Sequence, residues 1–92
     1  VVKFSKKTCP LCKGLSPVFL KLQSRYGNLV RFATIDVGLY KDISNIFDLD
    51  GVPSVFIFVN GDGEEIPYPE NPSPLSGYHE KYLISYINKY LI

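Results

Sequence analysis

The chain predicts an α/β fold: a central mixed β-sheet with helices on both faces. Three observations carry that expectation. β-prone runs alternate with stretches of helical spacing, in the order β-α-β-α-β-β-α. The run Ser54-Val55-Phe56-Ile57-Phe58-Val59 is continuously apolar, as a strand covered on both faces must be. It leads into Asn60-Gly61-Asp62-Gly63, a strong hairpin signal that sets an antiparallel edge, whereas helices between strands imply parallel neighbours.

Taken in order, Val1 to Phe4 is a short β-prone run, followed by the polar Ser5-Lys6-Lys7-Thr8. Pro10 suits the first position of a helix, where its missing N–H would be an orphan in any case. Leu11, Leu15, Val18, Phe19 and Leu22 then recur at helical spacing, and Gly27-Asn28 ends the run. Pro17 falls inside this helix and is expected to kink it. Leu29 to Val37 reads as the second strand. Residues 40 to 48 (YKDISNIFD) read as a short helix with Ile43, Ile46 and Phe47 inward. Gly51-Val52-Pro53 breaks the chain before the apolar strand, and Glu64 to Ile66 open the return strand. Pro67 to Ser76 carries four of the prolines and reads as a surface loop. The last helix is expected from about Tyr78 to Tyr90, with Leu83, Ile87 and Leu91 inward. Tyr78, Tyr82, Tyr86 and Tyr90 form a stripe of amphipathic side chains at the core rim.

Ninety-two residues make one domain, 46% hydrophobic and 14% aromatic, so the chain is globular rather than disordered. A net charge of +1 with mixed signs implies neither nucleic acid nor an anionic membrane as partner. No apolar run reaches the roughly 18 residues of a membrane span. The chain starts at Val1 rather than a methionine, so the absence of a targeting signal here says nothing about compartment.

The chemistry concentrates in Thr8-Cys9-Pro10-Leu11-Cys12-Lys13-Gly14, which holds both cysteines. A structural zinc site needs about four N/S ligands, and this chain offers Cys9, Cys12 and a distant His79, so no metal is expected. A purely structural disulfide fits poorly, because so short a loop removes little unfolded-state entropy. Redox chemistry fits better. Cys9 lies just before a helix, where unpaired N–H groups and the positive dipole end favour a thiolate. Lys6, Lys7 and Lys13 add positive potential nearby, or form no more than a solvated face. Cys12 is one turn further in.

With these residues the chain resembles a thioredoxin-fold oxidoreductase over nearly its whole length. The resemblance rests on the strand Val1–Phe4, Cys9-Pro10-Leu11-Cys12, Pro17, Ile35-Asp36, Gly51-Val52-Pro53, the hairpin Asn60-Gly61-Asp62, and Gly77. It begins at what is usually the family's second strand, so the family's first strand and helix have no counterpart here. The resemblance implies that Pro53 is a cis-proline packed against the disulfide. It also implies that the Val52 backbone is free to pair with an extended substrate peptide, with Pro10 and Leu11 beside it. Three branches of the family compete. "SPVFLKLQSRYGNLVRFATIDV", "GVPSVFIFVNGD" and "SGYHEKYLISYINKYL" are similar to protein disulfide isomerase domains. "VVKFSKKTCPLC" is similar to glutaredoxins, in which Lys6 would meet a glutathione carboxylate, but "NGDGEEI" stands where their Gly-Gly-Asp-like stretch is expected. Thr8, in place of an aromatic residue, weakens a plain thioredoxin reading.

Departures from the family pattern mark the pKa-tuning positions. Lys3 stands where the family usually buries an acid, and Thr34 where that acid's lysine partner is expected. A lysine is no direct replacement for a carboxylate, although a neutral lysine can act as a base. Leu11 replaces the histidine of the isomerase Cys-Gly-His-Cys motif. Losing that cation makes the dithiol less acidic and the disulfide less oxidising, which favours reduction or isomerisation. The expected partners are proteins bearing disulfides or thiols, with glutathione or a partner oxidoreductase completing the cycle. No cofactor is implied. The isomerase resemblance implies the endoplasmic reticulum lumen. The alternative outside enzymology is a peptide-binding or chaperone module that uses the groove at Pro53 and does little redox work.

Overall fold

The computed structural model describes residues 1–91. Its elements are β1 (Val2–Ser5), α1 (Pro10–Tyr26), β2 (Ala33–Asp36), α2 (Ile43–Ile46), β3 (Ser54–Val59), β4 (Asp62–Ile66) and α3 (Glu80–Lys89). The four strands form one mixed sheet in the order β2-β1-β3-β4. β1 runs parallel to β2 and antiparallel to β3, and β3 and β4 form the hairpin. No helix among the described residues is long and apolar enough to cross a membrane.

The two faces of the sheet carry separate cores. On one, Leu15, Phe19, Leu22 and Tyr26 of α1 pack with Leu83 and Ile87 of α3 against Val55 and Ile57. On the other, Phe4, Val37 and Phe56 are covered by Ile43, Phe47, Leu49 and Val52. Phe56 meets Phe4 edge-on at 5.3 Å between centroids, and Phe47 packs on both. β3 therefore contributes to both cores, as its unbroken apolar run predicts.

Several elements differ from expectation for identifiable reasons. β3 is antiparallel to β1 and β2, although a short helix precedes it. α2 is a single turn rising about 6 Å, too short to carry the chain back along the sheet. β3 therefore starts at the end where β2 stops: Ser5 pairs with Asp36, and Phe4 with Ser54. β2 begins at Ala33 rather than Leu29, because Leu29 is still bonded in the turn after α1 (N–H to the Tyr26 carbonyl, 3.0 Å). α2 spans less than residues 40–48, since Asp48 turns into positive φ. Ile43 and Phe47, four apart, take its narrow inward edge, while Ile46 is exposed. α3 begins two residues later than expected, because His79 is extended and serves as the N-cap. Tyr78 is consequently in the core rather than at its rim, and Leu91, beyond the helix, is largely exposed.

The proline-rich segment is tied down rather than free. Ser73 and Gly77 exchange backbone hydrogen bonds, Tyr68 packs edge-on against Tyr78, and His79 Nε2–H donates to the Asn71 carbonyl at 2.8 Å. Tyr82 and Tyr90 donate their hydroxyls to the Pro67 carbonyl and the Glu64 carboxylate, each at 2.6 Å. The segment presses on α1 at Gly14, where a Cβ would overlap the Leu75 carbonyl. Alanine normally favours a helix over glycine by about 1 kcal/mol. Here the clash with backbone outweighs that gain, and Gly14→Ala is expected to destabilise the fold by about 1–3 kcal/mol, read from urea midpoints. A variant as stable as the parent would show that the loop does not rest on α1.

Candidate active site

Cys9 is the N-cap of α1, in extended conformation, with Pro10 in the first turn. Its N–H is held by the Lys6 carbonyl at 3.2 Å, which closes the turn out of β1. Its sulfur accepts the Cys12 N–H at 3.1 Å, so one of the helix's unpaired donors points at it. Cys9 and Cys12 form a disulfide, with Cα atoms 5.2 Å apart. Cys9 is half-buried, whereas Cys12 is only 3% exposed. An approaching sulfur can therefore reach Cys9 but is shielded from Cys12.

Across from Cys9 lies the turn before β3. The Val52–Pro53 peptide bond is cis, and Pro53 is buried. The Val52 carbonyl oxygen is 3.9 Å from Cys9 Sγ. No backbone hydrogen bond among the described residues uses the N–H or carbonyl of Val52. Ser54 Oγ donates to the Gly51 carbonyl at 2.5 Å and braces the turn. A cleft of about 380 Å³ opens beside it, lined by Asp50, Val52, Pro53, Glu65, Tyr68 and Tyr78 among others. Burial first, and then the charges of Asp50 and Asp48, hold the Glu65 carboxyl above its usual range. A larger apolar hollow of about 500 Å³, between Val1, Leu29, Phe32, Val59 and Tyr90, includes neither cysteine.

The remaining sequence candidates divide. Pro10 is exposed and Leu11 half-buried, both in the first turn beside the disulfide. Lys6 and Lys13 are exposed and border a hollow shared with Lys7, Cys12, Ser16 and Asp36. Lys3 lies deep in the structure, 3% exposed, between Thr34 and Val55 in the sheet. Burial pushes its pKa down. Its Nζ donates to Ser16 Oγ at 3.0 Å and stands 5.0 Å from the centre of the Phe19 ring. Ser16, exposed at the surface, carries no motif and joins this cluster only through the Lys3 contact. The available signal was its position four residues after Cys12, on the same helix face.

A disulfide at the start of a helix, on an α/β sheet and opposite a cis-proline turn, defines a thioredoxin-like domain with a Cys-x-x-Cys pair. Residues 1–88 match the thioredoxin family model, and the chain belongs to the thioredoxin family. It is 38% identical over 61 residues to putative thioredoxin H10 of Arabidopsis thaliana, covering 66% of this chain and 39% of that protein. It is 29% identical over 62 residues to protein disulfide isomerase-like 1-3 of the same plant, covering 67% of this chain and 11% of that protein. Its fold is similar to the J-Trx1 fragment of ERdj5, with a TM-score of 0.77 at 19% identity, covering 98% of this chain and 40% of that one. The aligned region spans 39% and 54% of two of the thioredoxins it matches.

Two outcomes follow from the geometry. In the reduced protein, iodoacetamide is expected to modify Cys9 well before Cys12, as read by peptide mass spectrometry. Equal labelling would contradict the shielding of Cys12. The second concerns Lys3. Its pKa is lowered in the folded state, so the unfolded chain binds more protons between that lowered value and the ordinary 10.5. Lys3 therefore makes stability rise with pH across that window. Lys3→Met should remove this rise, seen as a smaller gap between urea midpoints at neutral and alkaline pH than in the parent.

Proposed function

We propose that the domain exchanges disulfides with extended protein segments, with Cys9 as nucleophile and Cys12 as resolving thiol, and that it works mainly as a reductase or isomerase. The observation that carries this reading is the meeting of the half-buried Cys9 sulfur with the unpaired backbone of Val52, 3.9 Å away. An extended chain bonded to Val52 would lay its own disulfide beside Cys9, a β-augmentation mode.

In the reductive direction the Cys9 thiolate attacks one sulfur of the substrate disulfide. A Cys9–substrate S–S bond forms, and the other substrate sulfur leaves with the electron pair and takes a proton from water. Cys12, as thiolate, then attacks Cys9 Sγ. The Cys9–Cys12 bond forms, and the second substrate sulfur leaves reduced. The reverse sequence oxidises a substrate dithiol. The α1 N-terminus stabilises the Cys9 thiolate, with the Cys12 N–H already aimed at that sulfur.

Leu11 supports the reductive bias, because no imidazolium stands between the cysteines to stabilise the dithiolate form. Most of the matched relatives are named thioredoxins, which fits the same direction. The likeness to a disulfide isomerase-like protein supports isomerisation, and the endoplasmic reticulum lumen is proposed as compartment only on the isomerase resemblance of the sequence.

The test is turnover of a disulfide-bonded protein substrate, with and without glutathione. Cys9→Ser should abolish exchange, and Cys12→Ser should accumulate mixed disulfides with substrate, visible as a mass shift reversed by dithiothreitol. Full exchange by Cys9→Ser would refute the assignment. Turnover that requires glutathione would move the reading to a glutaredoxin-like cycle.

A further inference from the structure

We propose that the cleft beside the Val52–Pro53 turn is a specificity pocket for a basic side chain, so that the domain selects substrate disulfides flanked within two residues by lysine or arginine. This rests on the exchange mechanism above and names the class of substrate that the groove favours.

The cleft holds about 380 Å³ and is lined in part by Val52, whose carbonyl oxygen is 3.9 Å from Cys9 Sγ. An extended chain advances about 3.3 Å per residue. A segment bonded to Val52, with its cysteine at Cys9, therefore brings a neighbouring side chain over Pro53 and the cleft. The walls there are apolar and braced. Tyr68 and Tyr78 stand edge-to-face with ring centroids 5.4 Å apart. The Tyr68 hydroxyl rests against Gly77, where a Cβ would come within 2.9 Å of it. Pro53 and Pro67 complete a lining that the stem of a lysine or arginine can follow.

The polar groups match the head of such a side chain. Glu65 and Asp50 line the cleft, and no lysine, arginine or histidine does. Lys6 lines a separate hollow with Asp50 and Val52 and does not enter the cleft. Burial, and then the charges of Asp50 and Asp48, hold the Glu65 carboxyl above its usual range, so negative charge gathers here against its own repulsion. An entering cation relieves that repulsion and gains charge-assisted hydrogen bonds. Tyr78 is an independent sign of a ligand. It is only 1% exposed, yet it lines the cleft. Its carbonyl accepts the Ser76 hydroxyl and its phenol oxygen is met by the Val55 N–H, but the phenol proton has no acceptor among the described residues. Burial holds that phenol well above its ordinary range, so it remains a donor. A buried donor with an open position calls for an acceptor. An extended substrate supplies one in a backbone carbonyl while its basic side chain meets Glu65.

Single-turnover reduction of disulfide-bonded peptides by the reduced protein reads the pocket. Three peptides differ only in carrying lysine, alanine or glutamate at the positions flanking the reacting cysteine. Each rate is divided by that of dithiothreitol on the same peptide, which removes the peptide's own reactivity. Lysine should then exceed glutamate about fivefold to tenfold at low salt, with alanine between, and the ratio should shrink as salt is added. Glu65→Gln combined with Asp50→Asn should bring the ratio to within about twofold, and Glu65→Lys should invert it. Asp62→Asn removes the same charge at the far end of β4 and should keep the parent's ratio. All three carboxylates are on exposed residues, so these variants are expected to fold. Equal rates for the lysine and glutamate peptides, a ratio that survives Glu65→Gln with Asp50→Asn, or an equal loss in Asp62→Asn overturns the proposal. Absence of Cys9-dependent reduction of every peptide would strike the exchange mechanism and the pocket's role with it, whereas Cys9-dependent reduction without a charge preference strikes the pocket alone.

Discussion

The structure depends on one junction: the start of α1 placed at the end of β1, facing the turn that enters β3. A helix leaves its first N–H groups unpaired. Here the Cys9 sulfur takes one of them, and the peptide bond between Val52 and Pro53 closes the other side. The two cores hold this junction from opposite faces. Leu15, Phe19 and Leu22 seat α1 on the sheet, while Phe4, Phe56 and Phe47 seat the segment that leads into Val52. β3 joins both, so the position of Val52 relative to Cys9 is set by packing on each side of a single strand. The proline-rich segment adds a third support, pressing on α1 at Gly14, two residues past Cys12.

Burial distinguishes the two sulfurs. They share a turn, yet one faces the groove and the other faces the core. Exchange chemistry needs that asymmetry, since an entering sulfur must meet one partner and be released by the other. The core side also holds Lys3, whose cost of burial is met by a hydroxyl and an aromatic face rather than by a carboxylate.

Much of this was legible in the sequence because it rested on local rules. Pro10 and Gly27 mark the ends of α1, the run 54–59 gives β3, and Asn60-Gly61 gives the turn into β4. The Cys-x-x-Cys spacing and its place before a helix point to the candidate site, and the helix is found there. What escaped depended on partners distant in sequence. β2 is shorter than its β-prone run because its pairing with β1 covers only Ala33 to Asp36, and Leu29 looks no less β-prone than Ile35. The direction of β3 follows from the length of α2, since one helical turn cannot return the chain along the sheet. Ile46 lies within α2 but off its narrow inward edge, and Leu91 lies beyond the end of α3. Ser16 carries no motif, and only the Lys3 contact reveals it.

The most direct test of the account is the reduction potential of the Cys9–Cys12 couple, by thiol trapping after equilibration in graded redox buffers. A reversible two-electron couple well below the endoplasmic reticulum poise of roughly −180 to −210 mV is the predicted result. It would agree with a helix-start dithiol that lacks a cation between its sulfurs. A value at or above that poise would contradict the reductive reading built on Leu11. A pair that failed to equilibrate at all would contradict the claim that this junction is a redox site.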